Sequence, residues 1–93
     1  MKLSKRFIVV ANLETKEIVE TWETTYEDRL RVKERDRVNG LFVEKHKTLY
    51  QQYPFPKFEI WLYVVEDIEA IKRDNPHFNW EKAIFNKLVP VLD

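Results

Sequence analysis

The sequence predicts an α+β domain in which a small antiparallel sheet, formed by an N-terminal β-hairpin and a strand near 57–65, packs against a charged central helix and a C-terminal helix. Three observations predict this class. Two β-branched and aromatic segments are joined by a short polar connector, a later segment alternates apolar residues, and the intervening and final segments have helix-forming composition. The expected order of elements is β-β-α-(α or β)-β-α.

The composition predicts one compact domain over residues 1–93. Sixteen basic residues balance sixteen acidic ones, 44% of the residues are apolar, and no repeat or Gly/Ser linker divides the chain. Disorder requires lower hydrophobicity or a higher net charge. A chain of this length buries about two-thirds of its unfolded surface on folding, so neither metal nor disulfides are needed for a core.

The first two elements predict a β-hairpin. Residues 6–11 and 17–23 are rich in β-branched and aromatic side chains, and the polar connector 12–16 is short enough to return the chain antiparallel. Strict alternation places Ile18 and Trp22 on one face of the second strand, together with Glu20.

The central segment supports two structures. Thr24 and Glu27 have the spacing of a capping box, which predicts a helix over 25–38 that Asn39-Gly40 would end. The rival is a second hairpin, because basic residues occupy every second position before Asn39-Gly40, a strong two-residue turn signal. The depletion of Asp, Glu and Lys in strands favours the helix. The sequence leaves the choice open for 28–50, and it leaves 41–52 as helix or strand.

The last third of the chain predicts one strand and two helices. Tyr53-Pro-Phe-Pro56 interrupts the preceding element, and residues 57–65 then alternate so strictly that we expect an internal strand, covered on both faces over its second half. A short helix is expected over 67–73. Asn79 then caps a helix over 80–92 that buries three residues at helical spacing. These are Ile84, Leu88 and Val91.

Catalytic signatures are missing from the sequence. The single glycine excludes phosphate-cradling loops, the lack of cysteine excludes thiol nucleophiles and thiolate metal sites, and His46 and His77 have no partner at metal-binding spacing. We therefore expect no catalytic residue, no cofactor and no metal. A small enzyme using either histidine with a carboxylate is the third hypothesis. The longest apolar run has six residues, so no membrane contact is expected, and the absence of cysteine fits the cytoplasm.

The side chains left for function are aromatic and basic. Aromatic residues and arginine are enriched at protein interfaces, which predicts a non-enzymatic protein-recognition domain, adaptor- or inhibitor-like, that binds a partner protein or itself through an aromatic and charge-mixed surface. The alternative is a nucleic-acid-binding module using the basic stretch 29–47. The candidate binding residues are Arg29, Arg31, Lys33, Arg35, Arg37, Tyr53, Phe55, Trp61 and Tyr63.

Overall fold

The computed structural model of the chain describes residues 4–26 and 32–88, and it confirms the α+β class. The elements follow the order β-β-α-β-α-β. Their bounds are β1 Ser4–Asn12, β2 Glu17–Tyr26, α1 Val32–Gln52, β3 Phe58–Val65, α2 Ile68–Asp74 and β4 Ile84–Lys87. The strands form one mixed sheet in the order β3-β1-β2-β4, in which the β2–β4 pair is parallel and the other two pairs are antiparallel.

Strand β1 is the centre of the molecule. Its residues Phe7 to Ala11 are buried, and they alternate between two apolar clusters on opposite faces of the sheet. The α1-side cluster joins Ile8 and Val10 to Leu49 of α1. The α2-side cluster joins Phe7 and Val9 to Ile71 of α2. The sheet is therefore a middle layer with a helix on each side, and β1 belongs to both cores.

The predicted hairpin is confirmed, but its second strand carries a β-bulge that the sequence does not reveal. Val10 pairs with Glu20 whereas Ala11 pairs with Ile18, so the register shifts between them. An extra residue in one strand reverses the direction of the side chains beyond it. The expectation that Ile18 and Trp22 share a face is therefore wrong, because Ile18 packs in the α2-side cluster and Trp22 in the α1-side cluster.

Both predicted structures for the central segment need correction. Thr24 does not cap a helix, because it pairs with Arg6 in the β1–β2 ladder, and residues 27–31 lie outside the described part of the chain. The hairpin alternative is also wrong, since α1 runs without interruption through Asn39-Gly40 to Gln52. Glycine inside a helix costs about 1 kcal/mol relative to alanine.

Burial of one stripe of α1 outweighs the cost of Gly40. Val38 and Leu49 are buried, and Phe42 packs between them against the α1-side cluster. Spacings of four and seven residues place these side chains on one face of a helix. Gly40 itself lies on an exposed part of the helix, with nothing within 4 Å of the position a Cβ would take.

The segment after α1 confirms some predictions and overturns others. The helix ends at Gln52, just before the predicted break, and β3 and α2 form close to the predicted positions. Asp67 caps α2 through its Oδ1, which accepts from the Ala70 N–H at 3.1 Å. However, β3 is an edge strand rather than an internal one, because β1 takes the central place in the sheet.

The predicted helix over 80–92 is wrong where the structure describes it. Residues 84–87 form β4, whose Ile84 pairs with Glu20 and whose Lys87 pairs with Glu23. Asn79 therefore caps no helix, and its Oδ1 instead accepts from the Glu81 N–H at 2.8 Å in a local turn. The hydrogen bonds that this segment forms with the edge of β2 stabilise a strand more than the spacing of its apolar residues favours a helix. Val91 lies outside the described residues.

Candidate protein-binding surface

One side of the molecule leaves apolar side chains uncovered between α1 and β3. Helix α1 is placed over β1 and β2, where Leu49 meets Ile8 and Val10, and where the Lys45 Nζ lies 4.0 Å from the centre of the Trp22 ring. The α1-side face of β3 is consequently covered only at its start. Leu62 and Val64, further along the same face, are 53% and 69% exposed.

Exposed apolar residues of α1 and of the following turn extend this surface. Tyr50 and Phe55 line a depression of about 140 Å³ together with the first residues of β3. Val43 is exposed and lies two helical turns before Tyr50, on the same side of α1. We call the set the β3-side surface. Its members are Val43, Tyr50, Phe55, Leu62 and Val64.

The depression is small for a ligand pocket. Sites that bind small organic molecules usually enclose 300–1,000 Å³, whereas this one measures about 140 Å³. Tyr53 and Phe58 also line it, and their rings meet edge to face with centroids 4.9 Å apart. The depression therefore fits a single side chain of a partner better than a whole metabolite.

Glu20 of β2 holds Tyr53, one of the residues that line this depression. Its Oε1 accepts from the Trp22 Nε1 at 2.8 Å, and its Oε2 accepts from the Tyr53 hydroxyl at 2.8 Å. A carboxylate that receives two donors holds both rings in place. The sequence pattern does not predict this role of Glu20, although its position among apolar neighbours on β2 is a signal for it.

The partly buried hydrogen bond of Tyr53 is expected to make the stability of the chain depend on pH in the alkaline range. The pKa of Tyr53 is raised to about 12, first because burial disfavours the phenolate, and then because Glu20 accepts its hydrogen bond and repels a second negative charge. The folded chain then holds a proton that the unfolded chain releases near pH 10, so this contribution to stability is complete below pH 10 and is lost between pH 10 and about 12.

Urea unfolding measured from neutral pH to pH 12 checks this prediction. In the Tyr53→Phe variant, stability should fall less steeply over the upper part of this range than in the unmodified chain. Tyr50→Phe, which removes a hydroxyl from an exposed ring, is the matched control for the loss of one phenol. Equal slopes for the unmodified chain and Tyr53→Phe would contradict the raised pKa of Tyr53.

The structure separates the four aromatic candidates into two groups. Tyr53 and Phe55 meet at the depression, where Tyr53 is half-buried and Phe55 is exposed. Trp61 and Tyr63 lie on the opposite face of β3, half-buried against the α2-side cluster. The Trp61 ring packs edge to face on Phe78, with centroids 4.9 Å apart.

The basic candidates are placed less completely. Arg29 and Arg31 lie outside the described residues, and the structure gives Lys33 and Arg35 a place in α1 without describing their side chains. Arg37 is exposed on the same helix. The nucleic-acid hypothesis for 29–47 accordingly stays a prediction.

The two histidines lie apart. His46 is half-buried on α1, with its ring centroid 5.9 Å from that of Tyr50, and His77 is exposed after α2. Across residues 4–26 and 32–88, no group of three or more His, Asp or Glu side chains is placed to hold a metal ion. None of the helices in that part of the chain has the length and apolarity required to span a bilayer.

Leu62 and Val64 are the residues that the sequence analysis missed as binding candidates. Their alternation with Trp61 and Tyr63 predicts a strand covered on both faces, whereas α1 packs over β1 and β2 and leaves this part of β3 exposed. The chain matches no protein-family model, no curated protein and no solved structure at a significant level.

Proposed function

We propose that this chain is a non-enzymatic protein-recognition domain that binds an extended segment of a partner protein along the outer edge of β3. The observation that carries the proposal is that β3 is an edge strand whose Leu62 and Val64 are exposed. Addition of a strand to such an edge is a common mode of protein recognition. Backbone hydrogen bonds supply affinity, and pockets for alternate side chains supply specificity.

The β3-side surface supports this proposal. An incoming strand beside β3 would direct every second side chain toward α1, where Leu62, Val64 and Tyr50 are uncovered. Large exposed apolar side chains that lie next to each other mark interaction sites more often than singly scattered ones do. The depression beside Phe55 offers a place for one anchoring side chain.

A selection from random peptides displayed on phage tests the proposal. The chain is expected to enrich peptides with alternating apolar residues, and the bound peptides should slow amide hydrogen exchange at Ile60, Leu62 and Val64. Leu62→Lys should abolish the enrichment, because a lysine on an edge strand opposes the addition of another strand. Protection confined to other parts of the sheet would contradict the proposal.

Phe85→Lys is the matched control for this selection. Phe85 lies on β4, the opposite edge strand, and is 54% exposed, against 53% for Leu62. The two variants therefore add the same charge at positions of equal exposure. If both lose peptide binding equally, the added charge rather than the β3 edge is responsible, and the assignment to β3 is wrong.

A further inference from the structure

The backbone groups that β3 offers at its outer edge are identified by one hydrogen bond. The Leu13 N–H donates to the Lys57 carbonyl at 2.9 Å, so the backbone groups of Lys57 face β1. These groups alternate in direction along a strand. Those of Ile60, Leu62 and Val64 therefore face away from β1, and no strand among the described residues pairs with them.

We propose that the segment bound at this edge is β3 of a second copy of the chain, paired antiparallel about a twofold axis at Leu62. This inference rests on the proposed function and names its partner. A twofold interface places the same patch of both copies in contact. Leu62 would face Leu62 of the other copy, and Ile60 would face Val64. The backbone groups that point away from β1 in one copy would then be paired with those of the other copy.

Charge complementarity selects this register over its neighbours. With Leu62 on the axis, Lys57, one residue before β3, would lie at the same end of the interface as Asp67, two residues after β3 in the other copy. A shift of two residues in one direction places Glu59 opposite Asp67, which brings like charges together, and a shift in the other direction leaves Asp67 without an opposite charge. Lys57 and Asp67 are both exposed and so are accessible to a second copy.

The carboxylate of Asp67 has capacity for a second partner. Its Oδ1 caps α2 by accepting from the Ala70 N–H, and a carboxylate offers about four acceptor sites. Asp67 lies two residues beyond the end of β3, where the chain bends toward α2, and its side chain is exposed at that end of the strand.

The side chains on both faces of β3 fit the same register. On the α1 side, Leu62 and Val64 would be covered by apolar residues of the other copy. On the α2 side, Trp61 would lie opposite Tyr63, an aromatic cross-strand pair of the kind that stabilises antiparallel sheets. The resulting dimer would have one continuous sheet of eight strands, since each copy contributes four.

Disulfide cross-linking tests the register directly, because the chain contains no cysteine of its own. Residues facing each other in a hydrogen-bonded antiparallel pair lie about 5.5 Å apart, within the range that a disulfide spans. Oxidised Leu62→Cys should therefore form covalent dimers, and a mixture of Ile60→Cys and Val64→Cys chains should form heterodimers. Neither of the latter variants should cross-link with itself.

Phe85→Cys, of matched exposure on β4, is the control for random collisions and should stay monomeric. Sedimentation velocity of the unmodified chain should show a concentration-dependent species of twice the chain mass. A chain that stays monomeric at every concentration overturns the inference. A dimer in which Leu62→Cys cross-links no faster than Phe85→Cys overturns the register as well.

The charge contacts give a readout that is independent of cross-linking. Lys57→Glu brings like charges together at both ends of the interface and should weaken dimerisation by about tenfold. Adding Asp67→Asn should recover about half of this loss, because asparagine is also a good helix cap and removes the repulsion without restoring the attraction. No recovery in the double variant would contradict the proposed pairing of Lys57 with Asp67.

The outcomes separate this inference from the proposed function. If the chain is monomeric but binds displayed peptides at Ile60, Leu62 and Val64, the inference of self-association is wrong and strand recognition stands. If neither peptides nor a second copy protect these amides, both proposals fail.

Discussion

Replacing Ile8 by alanine is expected to lower the free energy of unfolding by about 3 kcal/mol. Ile8 has no exposed surface and lies in the cluster that joins β1 to Leu49 of α1. Removing its outer carbons loses their burial and leaves a cavity, because strand and helix are both fixed by other contacts and close the space only in part. Urea unfolding measures the change.

Leu62→Ala is the control for the Ile8 variant. Leu62 is the partner of Ile8 in the β1–β3 ladder and points to the same face of the sheet, but it is 53% exposed. The same truncation should therefore cost less than about 1 kcal/mol, since little buried surface is lost. The comparison is made at low protein concentration, where self-association does not contribute. Equal losses would show that α1 covers β3 as well as β1.

Replacing Val9 by aspartate is expected to unfold the chain at neutral pH. Val9 has no exposed surface and lies in the α2-side cluster with Phe7 and Ile71. An unpaired carboxylate at such a place costs several kcal/mol, which is comparable with the whole stability of a small domain, about 5–15 kcal/mol. Loss of chemical-shift dispersion in the amide NMR spectrum would show it.

Val64→Asp makes the same change on the neighbouring strand. Val64 is 69% exposed, so its carboxylate keeps its water and the monomer should retain a dispersed spectrum. A folded Val9→Asp protein would mean that the α2-side cluster is open to water. An unfolded Val64→Asp protein would mean that aspartate in any strand of this sheet is enough to disrupt it.

The elements that could be predicted from the sequence are those fixed by local signals. Alternation of apolar residues and a short polar connector predict the first hairpin, and Tyr53-Pro-Phe-Pro56 predicts the end of α1. These signals depend on neighbours in the chain. They act in the same way whichever other elements are present.

The elements that could not be predicted depend on partners distant in the sequence. Thr24 has the pattern of a helix cap, but the ladder with β1 extends beyond it. Gly40 has the pattern of a terminator, but burial on both sides of it carries the helix through. Ile84 has helical spacing, but the edge of β2 is open to pairing. In each case tertiary contacts outweigh a local preference of about 1 kcal/mol.

The binding role of the candidate residues stays a prediction, and the structure gives only their positions. Tyr53 and Phe55 do meet at one depression, whereas Trp61 and Tyr63 pack over the other face of the sheet. The alternation of β3 tells which residues share a face, but not whether a neighbouring element covers that face. This depends on where α1 crosses the sheet, which Lys45 and Leu49 determine through their contacts with Trp22 and Ile8.

The parallel pairing of β4 bears on how the molecule assembles. Strands β1 and β2 are joined by a short turn, whereas α1, β3 and α2 separate β2 from β4 in the sequence. Closing a large loop costs more entropy than closing a small one, and contacts between distant segments slow folding. We therefore expect the β1–β2 hairpin to form first, and the pairings with β3 and β4, whose partners are distant in the chain, to form after it.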